Sequence, residues 1–309
     1  MLINPGFRET KLTKEVWRKE YYEYRKAWEE NPKKGIVGRF PLNLDMELTR
    51  SCNLRCPPCP REYIKKKSGN MDRNLVLKIL NEVRGQVPAF KFNWLGEPMM
   101  NFELPWAIKK AKDGGAIDTA INTNGTLLTM RYGKALIEAG LDRLIVSIDS
   151  IDPKTYESIR VGAFFKPVIK NIENFLKIRA YFGTDKPYVR VQKIDLPEHS
   201  HENKAFIKFF TEMGVDSVAI NTYKQKDMKQ VDWEPMPCAQ VWQRMMVAFD
   251  GEIFPCCQGH NFEPIGNAKS MSIEDAWNSE RMNMLRNFHS TNRQRLIDQC
   301  RHCEVTRPG

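Results

Sequence analysis

Apolar and polar residues follow two alternating periods along most of this chain. Leu42, Leu44, Met46 and Leu48 occupy every second position, as in a strand with one face turned to a core. Leu75, Val76, Ile79, Leu80 and Val83 then recur at the spacing of one helical face, which predicts a helix over 72–84. The exchange continues. Further strands are predicted over 89–95, 116–122, 144–148, 188–194 and 218–221, and further helices over 105–112, 128–139, 165–180 and 201–213, with Gly140 and Gly214 as helix stops. Six strands separated by five helices, each link long enough to cross over a sheet, predict an α/β fold with a parallel sheet. The expected architecture is an open, partial (β/α)6 TIM-like barrel, with chemistry at the C-terminal strand ends and the loops after them.

Both ends depart from this rhythm. Residues 1–41 hold Trp17, Tyr21, Tyr22, Tyr24 and Trp28 in a helix-favouring run, read as a helical arm that lays its aromatic rings on the main domain. The barrel is expected over 42–223. From about Lys224 the pattern breaks, with Pro235 and Pro237 as punctuation. Residues 224–309 read as a loop-rich, small C-terminal domain.

Composition narrows the class. The chain has 309 residues, of which 41% are hydrophobic and 28% charged, which excludes general disorder. No run approaches the ~18 apolar residues of a membrane span, and the N-terminus lacks the apolar core of a signal peptide. A cytoplasmic location is expected, with no membrane partner. The net charge of +10 permits a nucleic acid partner, but no RNA- or DNA-binding module is present, so none is expected. The eight cysteines fall into three groups, at 52–59, 238–257 and 300–303. Disulfides are rare in the cytosol, so this grouping favours metal or iron–sulfur ligation.

Cys52, Cys56 and Cys59 follow the first predicted strand with the spacing Cys-x3-Cys-x2-Cys. Three thiolates can hold three irons of a four-iron cluster and leave the fourth open to a reactant. In spacing and placement the motif resembles that of the radical S-adenosylmethionine (SAM) superfamily. The resemblance implies that the open iron is chelated by the amino and carboxylate groups of SAM, and that reductive cleavage gives a 5′-deoxyadenosyl radical that abstracts substrate hydrogen. Pro58 stands where the family often has an aromatic residue. Leu95-Gly96-Glu97-Pro98 looks like the family's GGEP segment, which meets the SAM ammonium. Asn122-Thr123-Asn124-Gly125 and Ser147-Ile148-Asp149-Ser150 resemble positions near the methionine and ribose of SAM, which makes Asn124, Ser147 and Asp149 candidates. Arg160 is the candidate for the SAM carboxylate; Arg190 and Gln192 are further candidates on the fifth strand.

The C-terminal order, Cys238, then Gly251-x4-Cys256, then Cys300-x2-Cys303, resembles the shortened SPASM domain called twitch, as do Gly266-Asn267, Trp277-Asn278-Ser279 and Arg281. That resemblance implies one auxiliary 4Fe–4S cluster on Cys238, Cys256, Cys300 and Cys303; a four-thiolate zinc site is the alternative. Cys257 is left over, a candidate hydrogen donor or a small buried residue, and either member of the Cys256–Cys257 pair can be the ligand. No histidine is read as a ligand. Arg61 and Lys65–Lys67 form a basic loop suited to a solvated face or to an anionic substrate group.

The expected cofactors are thus SAM and two 4Fe–4S clusters, with an external electron donor such as flavodoxin or ferredoxin. The expected activity is dehydrogenation of a carbohydrate, aminocyclitol or similar polyol of small size. Epimerisation through Cys257, peptide maturation and a non-catalytic iron–sulfur protein are the alternatives.

Overall fold

A computed structural model describes residues 7–11, 19–64, 68–222, 237–301, 303 and 305. Trp17, Lys65–Lys67, Lys224, Pro235 and His302 lie outside the described residues. Strand β1 (Phe7–Lys11) and helix α1 (Lys19–Lys34) precede six mutually parallel strands, β2 (Asn43–Met46), β3 (Ala89–Lys91), β4 (Asp118–Thr123), β5 (Arg143–Ser147), β6 (Tyr188–Asp195) and β7 (Ser217–Thr222). Helices α2 (Arg73–Glu82), α3 (Leu104–Asp113), α4 (Met130–Glu138), α5 (Pro153–Ile159), α6 (Phe165–Tyr181) and α7 (Asn203–Met213) make the crossovers. The expected α/β barrel, its six strands and its five long crossover helices are all present. No helix among the described residues is long and apolar enough to cross a membrane.

Local chemistry sets the helix ends. Asp72 accepts the N–H groups of Asn74 and Leu75 at the start of α2, and Thr129 and Asp152 cap α4 and α5 in the same way. Each such cap stabilises its helix by about 1 kcal/mol. Gly214, at φ +88°, ends α7 in the left-handed conformation that glycine adopts without strain.

The strand faces divide sharply. Leu44, Met46 and Leu48 point outward into the core shared with Leu75, Ile79 and the other helix faces. Asn43, Asp45 and Glu47, on the opposite face of β2, are buried polar residues turned into the barrel. Parallel register places Asp45, Lys91, Ala120 and Arg143 in one inward row across β2 to β5.

Three features escape the sequence pattern. Strand β1 pairs antiparallel with β7. Helix α5 fills the link after β5. The C-terminal segment, expected to be loop-rich, forms β8 (Arg244–Val247), β9 (Glu252–Phe254), β10 (Gly266–Asn267), α8 (Ile273–Trp277), α9 (Glu280–Ser290) and α10 (Asp298–Arg301). Strand β8 lies parallel to β2, so the sheet order is β1-β7-β6-β5-β4-β3-β2-β8-β9-β10. Strands of two to four residues are too short for a two-residue period to show in sequence. In the aromatic arm Tyr24 is buried, the Trp28 carbonyl accepts Gln243 Nε2 at 2.7 Å and Arg244 lies 4.9 Å from the Trp28 ring centre, whereas Tyr22 is exposed.

Candidate active site

The loop after β2 carries Cys52, Cys56 and Cys59, all free and partly exposed. Its shape comes from buried contacts that its cysteines do not make. Glu47 and Arg50 form an ion pair at 2.7 Å with side chains 0% and 2% exposed. Glu47 also accepts the N–H groups of Leu95 and Phe249, and the Arg50 guanidinium lies near the Trp94 and Phe249 rings. Removing one partner of such a pair typically costs about 3–5 kcal/mol, because the other charge stays buried. This pair ties the cluster loop to the ends of β3 and β8, and no sequence pattern marked it.

The Leu95–Pro98 segment docks on that loop. Glu97 N–H donates to the Ser51 carbonyl at 2.8 Å. A methyl group placed on Gly96 would lie 2.1 Å from the Thr49 carbonyl oxygen, so no side chain fits there. Glu97 accepts Thr123 Oγ1 at 2.8 Å, Asn124 N–H at 2.7 Å and Met99 N–H at 3.1 Å. Burial raises its pKa, and these donors offset part of the rise. Most of its acceptor capacity therefore positions the ends of β3 and β4. Asn124 donates to Asn53 Oδ1 at 3.0 Å and reaches within 4.0 Å of the Cys52 sulfur.

Asp149 is buried and binds Arg160 Nε at 2.6 Å and Ile194 N–H at 3.1 Å. Both its oxygens are engaged within the chain, so its evident work is to aim Arg160. Burial pushes the Cys56 thiol pKa up, and the Arg160 guanidinium is the strongest opposing influence. Pro98, Ser147 and Asp149 stand at the same strand ends as the loop; Gln192 Nε2 approaches Ser147 Oγ at 3.4 Å. Arg190 does not join this group. It lies in register with Ile145, two residues short of Ser147, and its Nε approaches Ser217 Oγ at 3.4 Å.

Cys238, Cys256, Cys257, Cys300 and Cys303 form the second set. Burial is the main cause of the raised thiol pKa values at Cys238, Cys256 and Cys300. The charges of Cys257 and Cys303 add to the rise at Cys238 and Cys256, and that of Cys303 at Cys300, which places these sulfurs near one another. Gly251, at φ +92° and packed against Asn267, turns β8 into β9 ahead of Cys256. Beyond the end of β3, Trp94 Nε1 donates to the Cys257 carbonyl at 2.9 Å, and its ring centre lies 5.6 Å from the Arg50 guanidinium. Among the described residues no three potential ligands are already closed around a single metal ion. The donor set itself suits iron–sulfur groups: three thiols on one loop, and five in the other set, of which Cys300 is buried and the others partly exposed.

His289, passed over as ordinary, is buried against the second set. Its Nδ1 accepts Cys238 N–H at 3.0 Å, and its Nε2 lies 3.6 Å from the Cys300 sulfur. Burial lowers its pKa to about 4, so the ring is neutral at ordinary pH. The barrel interior was also missed. Arg143 binds both oxygens of Asp118 at 2.8 and 2.6 Å, Arg244 binds Asp45 at 3.2 Å, and burial lowers the pKa of Lys91 between them. A cavity of about 890 Å³ opens at the N-terminal ends of β4 to β6, beside Tyr21 and Asp142. That is the end of the barrel opposite to the cysteines.

A family model for the radical SAM superfamily matches residues 46–181, and one for the SPASM iron–sulfur cluster-binding domain matches 238–304. A protein of Pyrococcus furiosus named tungsten-containing aldehyde ferredoxin oxidoreductase cofactor-modifying protein is 25% identical over 315 residues, covering 85% of this chain and 87% of that protein. A GTP 3′,8-cyclase of Chlorobaculum tepidum is 33% identical over 146 residues, spanning 46% of this chain and 44% of the cyclase. Among solved structures, the fold matches anSMEcpe with bound AdoMet at TM-score 0.65 and 16% identity, over 87% of this chain and 91% of that one. It matches BtrN in complex with AdoMet and 2-DOIA at TM-score 0.60 and 18% identity, over 87% and 94%.

Proposed function

This chain belongs to the radical SAM superfamily and carries a C-terminal SPASM iron–sulfur domain, and from that premise we propose that it is an oxidoreductase that dehydrogenates a small, anionic polyol-type substrate. Its cofactors are SAM and 4Fe–4S clusters. When bound, these supply hydrogen abstraction from an unactivated C–H bond and an exit for the second electron. The observation that carries the reading is the presence of two cysteine sets, three thiols on the loop after β2 and five in the C-terminal segment, with Trp94 beyond β3 donating to the Cys257 carbonyl. Cys52, Cys56 and Cys59 are the ligands of the first cluster. Cys238, Cys256, Cys300 and Cys303 are the ligands of the auxiliary one.

The chain's own residues then have separable tasks. Gly96 lets the end of β3 lie on the cluster loop, and Glu97 fixes the strand ends that frame SAM. Arg160, aimed by Asp149, binds the SAM carboxylate. Asp149→Asn is expected to weaken SAM binding about tenfold, since charge-assisted hydrogen bonds contribute about 1.5–3 kcal/mol. Iron content should stay unchanged. Equilibrium binding of SAM to the reconstituted protein measures this, and wild-type affinity in the variant would count against the assignment.

The fate of the substrate turns on Cys257. Dehydrogenation needs no hydrogen donor, whereas epimerisation must return hydrogen to carbon. Cys256→Ala is therefore expected to lower auxiliary iron, and Cys257→Ala to retain both iron and product formation. Deuterium from solvent at the reacting carbon of a redox-unchanged product, lost in Cys257→Ala, would identify an epimerase instead.

One observation favours a second reading. The match to the Pyrococcus furiosus cofactor-modifying protein runs over most of both chains, which supports a cofactor precursor as substrate rather than a free sugar. Incubation with dithionite, SAM and candidate substrates decides between the classes: polyol phosphates and phosphorylated cofactors are compared for substrate-dependent 5′-deoxyadenosine. Absence of 5′-deoxyadenosine under every condition would favour a non-catalytic iron–sulfur protein.

A further inference from the structure

Among the described residues, the amino group of Lys91 makes no hydrogen bond or ion pair. Lys91 closes β3, in the inward row that also contains Asp45, Ala120 and Arg143. Both nearby carboxylates are already engaged. Asp118 holds Arg143 with both oxygens, and Asp45 accepts Asn43 Nδ2 at 2.7 Å and Arg244 Nη1 at 3.2 Å. Arg244 Nε is buried with no acceptor. Lys91 is partly exposed, whereas the Arg244 Nε is buried, and a buried N–H without an acceptor is costly. Asp45, Arg244, Cys257 and Arg143 are the charged groups that act most on Lys91. Its neighbour across the row is Ala120, so only a methyl group faces it there.

We propose that Lys91, with Arg143 and Arg244, binds a phosphate group of the substrate inside the barrel. This deepens the radical SAM reading and rests on it. A phosphate ester fits better than a carboxylate. Three cations converge here, and a dianion with several acceptor oxygens satisfies an ammonium and a free guanidinium N–H together.

Calorimetric titration of inorganic phosphate into the reconstituted, SAM-loaded protein tests the proposal, with acetate as control. Saturable phosphate binding is expected in the wild type, at least about tenfold weaker in Lys91→Met, or ~1.4 kcal/mol, and largely retained in Lys91→Arg. Iron content and melting temperature report folding; if Lys91→Met does not fold, Lys91→Gln replaces it under the same criterion. No phosphate binding to the wild type, equal affinity in the neutral variant, or acetate binding as tightly as phosphate would overturn the proposal. SAM cleavage is scored separately. Its absence in the wild type would sink the enzyme reading, while the titration alone decides the phosphate site.

A second inference rests on a different contact. His289 Nδ1 accepts the Cys238 N–H, and a neutral imidazole has one acceptor and one donor nitrogen. The proton is then on Nε2, the atom facing the Cys300 sulfur at 3.6 Å. We infer that His289 is a positioning residue that donates a hydrogen bond to the Cys300 thiolate and raises the reduction potential of the auxiliary cluster. Hydrogen bonds to ligand sulfurs stabilise the more negative, reduced state.

The test is a redox titration followed by electron paramagnetic resonance, in full-length protein with Cys52, Cys56 and Cys59 changed to alanine so that one cluster reports. His289→Leu should shift the potential downward, and His289→Gln, which keeps a donor and an acceptor, should restore part of it. An unchanged potential at full iron content in His289→Leu would overturn the inference. If that variant loses iron, the unsubstituted His289 protein labelled with 15N-histidine decides. A hyperfine coupling from histidine to the reduced cluster is expected, and its absence would refute the contact.

Discussion

Changing Cys52, Cys56 and Cys59 together to alanine is expected to abolish 5′-deoxyadenosine formation from SAM while about four of about eight irons remain. The selectivity follows from how the two cysteine sets are supported. The first loop is shaped by the Glu47–Arg50 pair, by Arg55 N–H on the Val161 carbonyl at 3.0 Å and by Arg61 on the Leu54 carbonyl at 3.0 Å. None of these contacts uses a thiol, so the loop keeps most of its backbone support when the ligands are removed, losing the Leu54 N–H contact to the Cys52 sulfur at 3.5 Å. The second set has its own frame. Trp277 is fully buried with Nε1 on the Gly38 carbonyl at 2.9 Å, and Arg286 stacks on its ring while donating to the Val241 and Trp277 carbonyls. Retained 5′-deoxyadenosine would refute the assignment of the first set, as would loss of all iron. Wild-type protein with about four irons and one bound zinc would instead remove the auxiliary cluster.

Gly96→Ala is expected to be nearly as damaging, although glycine and alanine differ by one methyl group. That methyl would overlap the Thr49 carbonyl oxygen and press on Ser51. Both neighbours are backbone, so relief requires the end of β3 to move off the cluster loop. That movement breaks the hydrogen bond from Glu97 N–H to Ser51 and disturbs the carboxylate that gathers Thr123 and Asn124. Overpacking of this kind costs about 1–3 kcal/mol or more. At the reacting site the upper end of that range corresponds to a fall of about a hundredfold in SAM cleavage. Iron of the first cluster should be lost preferentially. The global melting transition should move only a few degrees, as about 1 kcal/mol shifts a chain of this size by ~2–4 °C. Rates of 5′-deoxyadenosine formation measured beside iron content check this, and wild-type values for both would show that the contact does not matter.

The cluster motif and the six-strand alternation were legible in sequence because both are local. A two-residue period between long crossover helices needs no partner to be seen. Cys-x3-Cys-x2-Cys declares itself within eight positions. Gly96 was noted through its motif, but the reason for it, the backbone of Thr49 and Ser51 at its face, lies about fifty residues away. Asp149 was read as a cofactor contact because a carboxylate at a strand end suits one; in the fold it is spent on Arg160 and Ile194.

By itself, then, the sequence determined the alternation of strands and helices, the apolar face of β2 and the grouping of thiols, all set by neighbours a few positions apart. Only the tertiary structure decided that β8 continues the barrel sheet beside β2, that Glu47 and Arg50 neutralise each other beneath the cluster loop, that Lys91 is left beside two carboxylates already taken, and that His289 bridges Cys238 and Cys300. In each case the deciding energy is a hydrogen bond or a charge pair in a buried place. Its partner is chosen by strand register and helix packing rather than by spacing along the chain.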